Sequence, residues 1–215
     1  PTPNFKLKKL MNLKIIIIFD KMEIVTLNKS HISEISKLHE DIFKDSVFCK
    51  FGLKFIEKFF YKLTNFNWGF VLIDKYKNVK GYILATEKKI SIIDILDFSD
   101  LLIFFKNLIF DLKVINKFFI TLKNYFFLRD KRNFYKENMV EISHFGIVQD
   151  FRSKGLGRKL IDQFEKEALR KKHNTIKTIT HNSKLVNFYI LKKNAQILKS
   201  SNIAHLEIQL LYWKI

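Results

Sequence analysis

The sequence predicts an α/β (α+β) chain folded around one core, and three observations carry that prediction. From Met22 onward, stretches that alternate apolar and polar residues take turns with stretches of helical spacing. The chain has 215 residues of 47% hydrophobic composition, enough for one well-buried core, whereas two full domains would be cramped. A glycine-bearing segment, "FGIVQDFRSKGLGRKLI" at 145–161, joins a strand-like run to an amphipathic one, as a strand-to-helix turn does.

The elements follow in order. "MEIVTLN" alternates as a strand, and "KSHISEISKLHEDIF" places Ile32, Ile35, Leu38 and Ile42 at helical spacing, with Asn28 or Ser30 as its cap. "GLKFIEKFFYKLT" is a second helix after Gly52. "WGFVLID" and "VKGYILATE" form a hairpin about the turn "KYKN". After an insertion come the strand "MVEISHFGIV", the glycine loop, the helix "LGRKLIDQFEKEALRKK", the strand "TIKTITH", the helix "SKLVNFYILKK", and two closing strands, "AQILKS" and "HLEIQLLYW". The order is β-α-α-β-β-β-α-β-α-β-β, without internal repeats. Residues 22–215 are read as a single domain. Residues 1–21 are set apart as an N-terminal extension, a tag, a misassigned start or a loose arm: Lys14 interrupts the apolar part, Asp20 ends it, and no small-residue cleavage site follows.

Cys49 is the single cysteine, so no intrachain disulfide forms and a reducing, cytoplasmic setting is the simplest expectation. The formal charge of +18 invites a nucleic-acid reading. The basic residues are, however, mostly lysines spread from Lys6 to Lys214 beside abundant Ile, Phe and Asn, the composition an AT-rich genome produces. A nucleic-acid site shows clustering rather than total charge, so no specific nucleic-acid partner is expected. The six His and one Cys show no metal-ligand spacing.

The glycine loop carries the chemistry. Free N–H groups at a helix start, with Gly155 and Gly157 keeping the backbone bare and Arg152, Lys154 and Arg158 around them, suit an anionic group. It is not a P-loop, because no Gly-Lys-Ser/Thr closes it, and the G-x-G-x-x-G dinucleotide spacing fails. Arg152-Ser153-Lys154-Gly155-Leu156-Gly157 instead resembles the R/Q-x-x-G-x-G/A pyrophosphate loop of the GNAT superfamily of acyl-CoA-dependent N-acyltransferases. Downstream, Asn182 to Tyr189 is similar to that family's N-x-x-A-x-x-F-Y, with Leu185 in the small-residue place. The family usually has glycine where "KKNAQ" stands, and Asn194 can take the left-handed conformation there instead.

The resemblance implies a GNAT fold: a mixed, mostly antiparallel sheet of about seven strands flanked by helices, with a helical insertion between the third and fourth. It implies acetyl-CoA as cosubstrate and no metal. The pyrophosphate would meet the loop from Arg152 to Arg158, with Ser153, Lys154, Gly155, Leu156 and Gly157 between them. Backbone groups of Phe145, Gly146 and Ile147 on a splayed fourth strand would pair with pantetheine, and Asn182 belongs to the same set. Tyr189 matches the tyrosine that faces the CoA sulfur, a suitable proton donor. Glu141 matches the strand glutamate that serves as base in histone-acetylating members, and His144 competes with it. Strand alternation predicts Glu141, Ser143 and Phe145 on one face, and Ile142, His144 and Gly146 on the other.

The insertion, 91–138, holds nine Phe, yet Asp94, Asp97, Asp100, Lys106, Asp111, Lys113, Lys117 and Lys123 recur too often for a spanning helix. It reads as two amphipathic helices that cap the acceptor end of the cleft, with a homodimer contact or membrane-surface docking as the other uses. The expected reaction is direct attack of a primary amine on acetyl-CoA in a ternary complex. The acceptor is expected to be a small molecule or amino sugar in preference to a protein. A non-catalytic acyl-CoA sensor is the alternative, with a basic nucleic-acid-associated protein, marked by affinity that falls steeply with salt, as the third reading.

Overall fold

In the computed structural model, the described residues are 22–44, 46, 48–65, 67–87, 97–109, 138–203 and 206–215. Strand β1 (Glu23–Thr26) leads through a short 3-10 turn into helix α1 (Ile32–Phe43), followed by α2 (Leu53–Thr64) and the hairpin β2 (Gly69–Ile73) and β3 (Val79–Thr86). Helix α3 (Phe98–Ile109) lies in the insertion. Then come β4 (Met139–Ile147), α4 (Leu156–Arg170), β5 (Thr175–Thr180), α5 (Ser183–Lys193), β6 (Gln196–Ile203) and β7 (Leu206–Lys214). One helix of the insertion is therefore present; the rest of the expected helical pair lies outside the described residues, 88–96 and 110–137.

The seven strands form one sheet in the order β1-β2-β3-β4-β5-β7-β6. Every neighbouring pair is antiparallel except β4 and β5. A parallel pair needs a crossover, and α4 supplies it. Alternation along the central strands sends Val71, Ile73, Tyr82 and Leu84 to a core shared with α1 and α2. Phe70, Leu72, Ile83 and Ala85 go to a second core under α4 and α5. Helix α4 buries Leu156, Leu160, Ile161, Phe164 and Ala168, a stripe at helical spacing, so its position over the sheet follows from its sequence.

Local chemistry sets the ends of these elements. In the β2–β3 turn, Asp74 Oδ1 accepts from the amides of Tyr76 (2.9 Å) and Asn78 (3.0 Å), and Lys77 takes a positive φ of 68°. At the end of α5, Asn194 adopts the left-handed conformation, φ 52°, and its amide donates to the Tyr189 carbonyl. This is the substitution of asparagine for glycine expected from the sequence. Helix α3 is pinned to α2 by Lys58, whose Nζ lies 2.6 Å from both Asp97 Oδ2 and Asp100 Oδ2, and Phe104 stacks on Phe51 with ring centroids 4.3 Å apart.

Gly69 is where the sheet tolerates no side chain. A Cβ there would lie 2.4 Å from the Ile83 carbonyl oxygen, a backbone atom that cannot move aside alone. Gly69→Ala is expected to lower stability by about 1–3 kcal/mol through overpacking. Urea denaturation checks this: the midpoint should fall at unchanged slope, and an unchanged midpoint would contradict the close approach.

Candidate functional site

The site begins where two parallel strands part. The β4–β5 ladder covers Met139–Ile142 against Thr175–Thr178 and no further. At its last rung Thr178 Oγ1 donates to the Ile142 carbonyl at 3.2 Å. Beyond it, β4 runs on to Ile147 paired with β3, and β5 runs on to Thr180 paired with β7. A wedge is left between the strands, with Ser143–Ile147 presenting an edge to it.

A bulge in β4 reassigns the faces. Leu84 pairs with His144 and Ala85 with Ile142, so Ser143 is an extra residue without a partner on β3. Val140 and Ile142 pack under α4 and α5, and after the extra residue so do Phe145 and Ile147. Glu141 therefore shares its face with His144 and Gly146, contrary to strict alternation, which groups it with Phe145. A single inserted residue shifts the register of everything after it, and strict period-two counting fails for that reason.

The glycine loop follows directly. After a 3-10 turn at Gln149–Phe151, Ser153 has φ 59° and Gly155 φ 77°, both left-handed, and α4 starts at Leu156 with no side-chain cap. Among the described residues no acceptor is found for the amides of Leu156, Gly157 and Arg158. Consecutive unpaired amides at a helix start make a concave, positive site for an anion. The two glycines do different things. A Cβ on Gly155 would meet nothing within 4 Å, so its surroundings are open. A Cβ on Gly157 would lie 3.2 Å from Phe145 Cζ and 3.3 Å from Ile147 Cδ1, so this glycine brings α4 close to β4.

The basic side chains are not all free. Arg152 Nε donates to the Ile147 carbonyl at 2.9 Å, folding the loop onto the end of β4. Arg158 Nε lies 3.8 Å from Asp162 one turn on, and Lys154 Nζ sits 5.4 Å from the centroid of the Phe151 ring. The Leu156 side chain is in the core, leaving its amide for the loop. Asn182 caps α5: its Oδ1 accepts from the amides of Lys184 (3.0 Å) and Leu185 (3.3 Å).

Glu141 is engaged. Its Oε2 lies 3.1 Å from Lys177 Nζ on β5, both side chains being largely buried at 15% and 10% exposure. His144 sits in the unladdered stretch of β4, edge-on to Phe59 and Phe60, with its ring centroid 5.6 Å from that of His39. His39 Nδ1 and Tyr82 Oη are 2.6 Å apart in the core. Ser143 Oγ donates to the Leu84 carbonyl at 3.2 Å and lies 3.1 Å from His144 Nδ1. With the hydroxyl proton used on Leu84, Oγ accepts from Nδ1–H, which assigns the lone pair of neutral His144 to Nε2. Burial lowers the His144 pKa to about 4; burial, and then the charge of His144, lower that of His39 to about 3.

Tyr189 lies on the opposite side of the sheet. It is 1% exposed and stacked on Trp213, ring centroids 5.0 Å apart and planes 23° apart, with Phe188 at its edge. Burial, and then the charge of Glu165, raise its pKa, so the phenol keeps its proton. Sequence reasoning missed Lys177, Thr178, His39 and Tyr82. Each reaches the site through strand pairing or helix docking, and no local motif marks them.

Residues 119–192 match the model of the acetyltransferase (GNAT) family. Solved structures of the same fold include a variant of spermidine N-acetyltransferase SpeG from Vibrio cholerae, 14% identical, covering 91% of this chain and 94% of that one with a TM-score of 0.56. The ribosomal-protein-S18-alanine N-acetyltransferase from Escherichia coli is 10% identical, covering 90% and 94%, TM-score 0.55. YncA from Salmonella typhimurium with its cofactor acetyl-CoA is 11% identical, covering 90% and 94%, TM-score 0.56. No curated protein matches the chain. The family match covers residues 119–192, and the fold of the chain is the one seen in these solved N-acetyltransferases. Among the described residues no helix is long and apolar enough to cross a membrane.

The two buried imidazoles tie stability to pH. In the unfolded chain each titrates near 6.5, in the folded one at about 4 and about 3. Between those values the unfolded chain holds more protons, so stability is full above pH 6.5 and falls as pH drops toward 4 and then 3. Stability from urea denaturation at pH 7.5 and 5.0 should differ by about 4 kcal/mol, about 2 from each imidazole, with roughly half of that fall left in His39→Gln. An equal fall in that variant would exclude His39 as a source.

Proposed function

We propose that this protein transfers the acetyl group of acetyl-CoA to a primary amine by direct attack in a ternary complex, without a covalent enzyme intermediate. The observation that carries the reading is the wedge after Ile142 and Thr178, next to uncapped amides at the start of α4. A pantetheine arm has amide groups that suit the edge of Phe145, Gly146 and Ile147, as an added strand would. The pyrophosphate suits the amides from Gly155 to Arg158, with the positive charge of Lys154 and Arg158 beside it and Ser153 shaping the turn. Arg152 and Asn182 support the site through the backbone they hold, Ile147 and the first turn of α5. No metal is needed by this chemistry.

Acetyl-CoA supplies an activated thioester carbonyl. The amine nitrogen bonds to the carbonyl carbon, the C–S bond breaks, one proton leaves the nitrogen and one reaches the sulfur. Tyr189, buried and protonated, is the proposed donor to sulfur. Between the two strand groups proposed as base, geometry favours His144 over Glu141. The carboxylate lies within the laddered part of β4 and faces Lys177, whereas the imidazole lies beside the wedge with Nε2 unprotonated. The nitrogen becomes strongly acidic as it bonds to carbon, so a weakly basic imidazole suffices. The acceptor is proposed to be a small amine or amino sugar. The SpeG relative is named for spermidine and the E. coli relative for a ribosomal protein, so acceptors differ widely within the fold.

Gly155→Glu, which places a carboxylate among the loop amides, is expected to abolish acetyl-CoA binding in calorimetry; binding at wild-type affinity would refute the loop assignment. In a thiol-release assay across a panel of amines, Tyr189→Phe should lower turnover roughly 10²-fold with acetyl-CoA affinity nearly unchanged. His144→Gln should do the same, and Glu141→Gln should cost less than about tenfold. The reverse ranking of the last two would return the base role to Glu141. Tight acetyl-CoA binding with no acceptor anywhere on the panel would favour an acyl-CoA sensor.

A further inference from the structure

We infer that Glu165 and Trp213 are positioning residues that hold the Tyr189 phenol in its reactive place and tie it to the helix that opens with the CoA loop. This rests on Tyr189 as the proton donor. A single network joins α4, α5 and β7. Lys193, at the end of α5, places Nζ 2.6 Å from Asp162 Oδ1 and 2.6 Å from Glu165 Oε2, both on α4. The other oxygen of Glu165, Oε1, accepts from the indole Nε1 of Trp213 on β7 at 2.8 Å. Trp213 is 2% exposed, and its ring is the surface against which the Tyr189 ring lies.

Each link has a physical consequence. A stacked phenol can slide across its partner, but an indole anchored at Nε1 cannot turn in its plane, so the stack inherits one orientation. Both oxygens of Glu165 are occupied, one by a cation and one by the indole, which sets the carboxylate's rotamer. Lys193 bridges two turns of α4 from the far end of the helix that carries Tyr189. Asp162 also faces Arg158, in the first turn after the loop. The route from the proposed pyrophosphate site to the proposed acid thus runs Arg158, Asp162, Lys193, Glu165, Trp213, Tyr189. An indole N–H alone needs only a neutral acceptor; a charge here adds a field that favours the protonated phenol.

The test is a double-mutant cycle on steady-state kinetics with acetyl-CoA and an amine the enzyme accepts. Glu165→Ala and Trp213→Phe are each measured in the wild-type and Tyr189→Phe backgrounds. In the wild-type background each should lower kcat by roughly tenfold while KM for acetyl-CoA stays within about twofold. In the Tyr189→Phe background neither should lower kcat further, because the group they position is gone. A wild-type kcat in both variants, or the same loss in both backgrounds, would overturn the inference. Should Glu165→Ala fail to fold, Trp213→Phe carries the test alone, since it keeps a stacking ring and removes only the anchor. Wild-type turnover in Tyr189→Phe itself would instead mark the failure of the acid assignment.

Discussion

The parting of β4 from β5 is the constraint on which the rest of the molecule depends. Parallel strands joined by a crossover helix would ordinarily stay paired along their length, and here the ladder stops at Ile142 and Thr178. Two local features accommodate that stop. Thr178 Oγ1 takes up the carbonyl of Ile142, and the bulge at Ser143 turns the strand at the next residue. Below the parting, Glu141 and Lys177 face each other across the two strands, a largely buried ion pair one rung before the last. Breaking such a pair on one side strands a charge, so the pair resists extension of the wedge toward Met139. The backbone edge from Ser143 to Ile147 is left as an opening of defined length.

The glycine loop completes that opening because α4 must approach β4 closely. Gly157 permits the approach by sitting against Phe145 and Ile147, and Arg152 reaches back to the Ile147 carbonyl, so the loop and the strand end are one construction. The unpaired amides at the start of α4 therefore follow directly on the strand end that borders the wedge. An anion bound there and an extended chain bound along β4 would be parts of one elongated ligand. That continuity, more than the positive charge of the chain, is the argument for a CoA-like shape.

Much of this was legible in the sequence, and the limits have physical causes. Element order, the strand–glycine loop–helix turn and the left-handed Asn194 follow from local chemistry, and local chemistry is what a sequence displays. The bulge at Ser143 has no such mark: no glycine or proline signals it, and it arises from pairing with β3, far away in sequence. The faces of Glu141, His144 and Phe145 were consequently misassigned by alternation. Gly157 is indistinguishable from Gly155 in the motif, yet one packs against a strand and the other lies open, a difference only the docking of α4 creates. Arg152 offers a guanidinium on paper and spends one N–H on its own backbone. The cap role of Asn182 could have been read from its place before a helix.

The two sides of the sheet differ in electrostatic character, and the difference assigns a direction to the proposed reaction. On the α1–α2 side, His39, Tyr82 and His144 sit among phenylalanine rings, where burial keeps the imidazoles neutral. On the α4–α5 side, Lys193, Asp162 and Glu165 form a charged cluster behind Trp213 and Tyr189. Burial among apolar rings keeps the imidazole neutral and weakly basic, and burial beside a carboxylate keeps the phenol protonated. In the proposed reaction the imidazole that would accept the amine's proton and the phenol that would donate to sulfur therefore lie on opposite faces of the sheet. The bulge makes this possible: with Ser143 paired in regular alternation, His144 would share the face of Ile142, the side where Tyr189 is buried.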